Sequence, residues 1–186
     1  SSYTVEGRIA AQYIVKHLGL DSIAVVAPAN KKTEIQIDAF INEVNRLGGN
    51  VVATEWYTGE PKNLRRQFKY LRKVAFELEE KKKTFDVALG MDLDSLDALF
   101  DVSADDFFDL PKPDKKSMSS NDSSKVVLKT IQAIYLPINH QDLEYIGPQI
   151  PMYNFETKIV GNASWQQLEI LTLSLIHISE PTRPYL

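Results

Sequence analysis

The chain contains no cysteine, which excludes disulfides, thiolate metal sites and a cysteine nucleophile together. It also lacks any apolar run approaching the length of a membrane-spanning helix. There is no strong excess of one charge, because 21 Lys and Arg against 25 Asp and Glu leave a net charge of −4. Cations and acids are interleaved, so no basic patch speaks for nucleic-acid binding. Only 3 His occur, and His17, His140 and His177 have no i, i+4 partner or carboxylate arrangement that would hold a metal. No Ser sits in a Gly-x-Ser-x-Gly elbow. The loop after the first apolar strand has no glycine-rich phosphate cradle. Asp92-Leu93-Asp94-Ser95-Leu96-Asp97 looks like a cation loop but lacks its central Gly and terminal Glu, so it reads as a solvated acidic helix start. These absences leave no catalytic residue, no metal and no cofactor to assign, and they argue against an enzyme.

What is present suffices for one domain: 186 residues, of which 44% are hydrophobic. The chain opens on Ser1-Ser2-Tyr3 without an initiator Met or a signal peptide, so upstream sequence is expected to be missing. Thr4 caps an expected helix through about Leu18, with Ile9, Ala10, Tyr13, Ile14 and Leu18 at helical spacing and Gly19 as its stop. Ser22 to Ala27 is short, apolar and β-branched, the mark of a buried strand. Thr33 to Leu47 is the next helix, ended by Gly48-Gly49. Val51 to Tyr57 is a second strand, and Gly59-Glu60-Pro61 turns into a helix from about Lys62 to Glu79. Two buried strands joined through a helix imply parallel pairing with a right-handed crossover.

From about residue 81 to 124 the periodicity dissolves into charges and small polar residues. Phe85 to Leu89 reads as a short strand and Asp92 to Phe100 as a helix, while the run from Pro111 to Ser124 cannot bury enough apolar area to offset its ordering entropy. The whole stretch is expected to be a solvated insertion. Ile131 to Pro137 is a strand again, Leu143 to Met152 a helix broken near Gly147-Pro148, and Thr157 to Val160 a strand. Gly161-Asn162-Ala163-Ser164-Trp165 then leads into a helix to about Leu171. The fold class is α/β with a parallel sheet.

In order and punctuation these segments resemble the second lobe of type I periplasmic binding proteins, the branched-chain amino-acid receptor group. The resemblance covers residues 1–73 and 131–171. It rests on Leu18-Gly19-Leu20-Asp21-Ser22-Ile23-Ala24-Val25-Val26, Leu47-Gly48-Gly49-Asn50-Val51-Val52 and Arg66-Gln67-Phe68-Lys69-Tyr70-Leu71-Arg72. Late in the chain, Ala133-Ile134-Tyr135-Leu136-Pro137, Gly147 to Tyr153 and Ile159 to Trp165 are similar to the branch that holds the activators of penicillin-binding proteins and related envelope lipoproteins. The resemblance implies a fragmentary chain, one parallel-sheet lobe of a two-lobed fold, located in the periplasm or cell envelope. It also implies a small polar ligand, an amino acid or another solute, in the cleft between the lobes. The alternative is a scaffold or activator that meets an envelope protein partner, such as a peptidoglycan synthase, through its surface.

Ligands of a parallel sheet sit beyond the carboxyl ends of its strands. The candidates there are Asn30, Tyr57, Thr58, Asn139, His140, Asn162 and Ser164. The same positions also call for turn and helix-capping residues, which is the plainer role for each of them except Asn139. Amino-acid-binding members of the family carry Tyr-Gly after the first strand, where this chain has Lys32-Thr33, and an acid after the last strand, where it has Ala163. Both departures remove the usual grip on an α-amino acid, whose ammonium needs an acidic partner. Trp56 and Trp165 flank strand ends and read as packing residues. A flavodoxin-like signalling domain would need clustered acids at strand ends, and the first two strands here end in Ala27 and Tyr57.

Residues 1–171 are therefore expected to form the lobe and residues 172–186 a tail foreign to it. The run Leu173-Ser174-Leu175-Ile176-His177-Ile178-Ser179-Glu180-Pro181-Thr182-Arg183 resembles the translation of a transposon-type sequencing adapter. The other reading of those residues is an apolar strand running into a Pro turn.

Overall fold

The computed structural model describes residues 1–90, 120–162 and 178–179. Two helices open and follow the first strand: α1 over Ser2–Gln12 and α2 over Lys31–Arg46, with β1 over Ser22–Pro28 between them. Next come β2 over Asn50–Tyr57, α3 over Arg65–Gly90, and a short α4 over Ser120–Lys125. The chain then forms β3 over Ala133–Tyr135, α5 over His140–Ile146, a 3-10 turn over Gly147–Tyr153, and β4 over Lys158–Val160. A two-residue β5, Ile178–Ser179, completes the described chain.

The strands form one parallel sheet in the order β2-β1-β3-β4-β5. Central β1 pairs with β2 from Ser22↔Asn50 to Pro28↔Tyr57, and with β3 from Ile23↔Ala133 to Val25↔Tyr135. Its unbroken burial from Ile23 to Ala27 follows from helices on both faces. Side chains alternate across the pleat. Ile23, Val25 and Ala27 join Ala10, Ile14, Ile37, Phe40 and Val44 beneath α1 and α2, whereas Ala24 and Val26 join Phe68, Leu71, Ala75 and Ile146 beneath α3 and α5. β3 stops at Tyr135, short of the expected Pro137. The Gln132 side chain takes over at its other end, where its Oε1 accepts from the backbone N–H groups of Asp21 (2.9 Å) and Ser22 (3.2 Å).

Several boundaries differ from the sequence expectation. Ser1, not Thr4, caps α1, its hydroxyl accepting from the Thr4 N–H at 3.3 Å. After Gln12 the helix widens into one π turn, Tyr13–His17, which brings the Tyr13 and His17 rings into a stack with centroids 5.3 Å apart. Gly19 and Gly48 then turn the chain with φ of 68° and 86°, a region open to glycine at little cost. The largest difference is α3. It runs on to Gly90, so residues 81–90 are helical and the strand expected over Phe85 to Leu89 does not form. Ser120–Lys125, expected to lie in the solvated insertion, is helical too. The helix expected from Asp92 to Phe100, and the one after Trp165, lie outside the described residues. Ile178–Ser179, inside the stretch set apart as foreign, pair with Ile159 and Val160.

The α1–α2 contact carries a titratable lock. Gln12 Nε2 donates to Glu43 Oε1 at 3.0 Å, and the Arg46 guanidinium donates to both carboxylate oxygens of Glu43. The Arg46 hydrogen bonds, helped by Gln12, hold the Glu43 carboxyl down at about 2 instead of the ordinary 4.5. A carboxyl depressed on folding stabilises the native state above its unfolded pKa, and that contribution disappears as the pH falls from about 4.5 to about 2. The stability difference between the wild-type chain and Glu43→Gln is therefore expected to shrink steadily over this window in acid-unfolding curves. A difference independent of pH there would show that the carboxylate is not held this way.

Candidate functional site

Because all strands are parallel, their carboxyl ends share one edge of the sheet. Pro28, Tyr57, Tyr135 and Val160 end β1 to β4, and the loops that follow carry the candidate residues. Asn30 is exposed and caps α2, its Oδ1 accepting from the Thr33 N–H at 2.9 Å. Asn139 is exposed and caps α5 in the same way, accepting from the Asp142 N–H at 2.8 Å. Both asparagines thus satisfy helix N-termini. Thr58 and His140 are exposed beside them. Asn162 is half-buried, with its Nδ2 donating to the Ile138 carbonyl at 3.4 Å and its Oδ1 accepting from Gln36 Nε2 at 3.5 Å. Ser164 lies outside the described residues.

Tyr57 plays a different part from the others. Its ring is buried, and its hydroxyl donates to Asp142 Oδ2 at 2.6 Å, tying the end of β2 to the first turn of α5. Burial first, and then the Asp142 carboxylate, push the phenol far above its ordinary range, so Tyr57 stays a neutral donor. Beneath Asn162, Gln36 Nε2 donates to the Tyr135 hydroxyl at 2.7 Å, and the two groups lie buried between α2 and β3. Burial likewise pushes the Tyr135 phenol up. Tyr57→Phe, which removes one charge-assisted hydrogen bond and leaves Asp142 short of a donor, is expected to cost about 2 kcal/mol. Chemical denaturation checks this, and a loss below about 0.5 kcal/mol would show that water replaces the phenol at no cost.

The strand-end reading thus locates an edge and misses what organises it. Asp142, Gln36 and Tyr135 were not among the candidates. Asp142 was accessible in principle, since Asn139-x-x-Asp142 has the spacing of a capped helix start. Gln36 and Tyr135 had no local signal, because each is buried by a partner distant in sequence. Among the described residues, the candidates at this edge offer polar hydrogen-bonding groups beside the half-buried carboxylate of Asp142. Among the described residues no group of three or more His, Asp or Glu could hold a metal ion. No described helix is long and apolar enough to cross a membrane.

Two solved structures superpose on nearly the whole chain. One, from Rhodospirillum rubrum and assigned to branched-chain amino acid ABC transport, matches with a TM-score of 0.54 at 13% identity over 93% of this chain and 34% of its own. The other, the leucine-binding protein LivK of Thermotoga maritima, matches with a TM-score of 0.52 at 12% identity over 92% of this chain and 33% of its own. The chain therefore has the α/β, parallel-sheet fold of a periplasmic-binding-protein lobe, and it spans about a third of the length of these two proteins. No protein-family model matches the sequence, and no curated protein matches it either.

Proposed function

We propose that this chain is a non-enzymatic lobe of an extracytoplasmic solute-binding protein and supplies one wall of a ligand cleft. Asn30, Thr58, Asn139, His140 and Asn162 face a small polar solute, while Tyr57 and Asp142 brace the wall from behind. The observation that carries this reading is the shared edge itself, where four parallel strands end in loops of small polar groups on a binding-protein fold. Ligands of open parallel sheets are held at such edges. A cleft closes two faces on its ligand, so one lobe alone binds weakly. With Lys32-Thr33 and Ala163 in place of the usual α-amino-acid grip, the solute need not carry an ammonium group. A thermal-shift screen of amino acids and other small polar solutes on the full-length protein tests the proposal. A dose-dependent rise in melting temperature with one solute class supports it.

A second reading is a scaffold or synthase activator in the cell envelope that works through protein contacts. It draws on the final turns of α3, where Phe85, Val87 and Leu89 are 62%, 60% and 69% exposed. Failure of every solute to raise the melting temperature would favour this reading over solute capture.

A further inference from the structure

We infer that the flank of the lobe carries a second binding site, for a small multiply charged anion, in the groove between α3 and the 3-10 turn. The groove has a volume of about 630 Å³ and takes Arg65, Lys69, Arg72 and Lys73 from α3, with no acidic residue among the described residues that line it. That volume lies within the range of small-molecule pockets. It runs along α3 to Phe76 and is bounded on its far side by Ser123, Ser124 and Tyr153. Tyr153 precedes β4 and the serines precede β3. The groove therefore lies along the α3 flank from the first turn of that helix, and none of its lining residues is a candidate at the cleft edge.

The charge in this groove is unbalanced. Arg72 is 8% exposed, yet its guanidinium donates only to backbone carbonyls, those of Tyr153, Asn154, Ser123 and Val126. A buried guanidinium held by carbonyls keeps its full positive charge, and desolvation makes an approaching anion more valuable there than at an open surface. Among the described residues Arg65, Lys69 and Lys73 form no ion pair, whereas Lys62, Lys83 and Lys129 each do. Lys69 and Lys73 are one helical turn apart and project from the same strip of α3 as Arg72 and Phe76. Cations at this spacing over one buried guanidinium match a ligand bearing two or more phosphate or carboxylate groups.

Isothermal titration of the full chain with inorganic pyrophosphate at low ionic strength tests the assignment. The expected result is saturable one-to-one binding that Lys69→Gln/Lys73→Gln weakens by about tenfold or more, with the unfolding midpoint unchanged because both side chains are exposed. Lys81→Gln/Lys82→Gln, on the same helix but outside the groove, is expected to change affinity less than about twofold. A parallel titration with citrate separates the two ligand groups: binding of both probes supports a general polyanion site, and binding of pyrophosphate alone a phosphate site. No saturable binding of either probe overturns the inference. So does equal weakening by the two lysine pairs, which would mean diffuse attraction to a charged helix.

Discussion

Replacing Gly7 with alanine is expected to destabilise the lobe by about 3 kcal/mol, the upper end for overpacking. A Cβ at this position would stand 2.2 Å from the Gln36 carbonyl oxygen and 3.1 Å from the Phe40 backbone nitrogen. Both atoms belong to the backbone of α2, so no flexible side chain can swing aside. The two helices must separate instead. Separation opens the layer in which Ala10, Ala11, Ile14, Ile37 and Phe40 are essentially fully buried, and it draws Gln36 away from Tyr135. Equilibrium unfolding in urea measures the loss, with exposed Arg8→Ala as a control expected to change stability by less than about 0.5 kcal/mol. A loss at Gly7 no larger than the control would mean that α1 does not pack this tightly on α2.

Arg72→Leu is expected to cost still more, about 4 kcal/mol, since it removes charged hydrogen bonds and leaves buried carbonyls without donors. One nitrogen of the guanidinium serves Tyr153 and Asn154 at the end of the 3-10 turn, and the other serves Ser123 and Val126 beside α4. The side chain thus joins α3 to both segments, which are also tied to each other where Asn154 Nδ2 donates to the Ser124 carbonyl at 2.8 Å. Its arm also lies under Phe76 and Phe155, with the guanidinium carbon 5.4 Å and 6.0 Å from the ring centroids. Arg72→Lys is expected to recover less than half of the loss, because an ammonium cannot present the planar fork that reaches both sides. Full recovery by lysine would show that charge alone matters at this position.

How much of this was legible in the sequence depends on how local each cause is. β1, α2 and β2 fall within two residues of their expected bounds, because the run Ser22 to Ala27 and the Gly48-Gly49 stop are local signals. The overrun of α3 has the opposite cause. Phe85, Val87 and Leu89 alternate with period two and read as a strand, yet Lys81-Lys82-Lys83 continue the helix from Glu79-Glu80 and, with Ala88 and Leu89, favour helix without needing a buried face. Propensity prevailed over a three-residue alternation that had nothing to pack against. At the strand ends, the rule for parallel sheets pointed to the edge, and Asn30 caps a helix as its plainer reading held, whereas Asn139, the one candidate set apart for a functional role, caps a helix as well. The pairs Tyr57–Asp142 and Gln36–Tyr135 are separated by 85 and 99 residues, and only the sheet order brings them together. No spacing rule connects residues that far apart.

The reading of this chain as a cleft wall is tested most directly by hydrogen–deuterium exchange on the full-length protein, with and without a solute that raises its melting temperature. Protection is expected in peptides that cover residues 29–34, 57–60, 138–142 and 160–164, the loops at the carboxyl ends of β1 to β4. Protection confined to the α3 flank or to the helical layers, with these four loops unchanged, would contradict it.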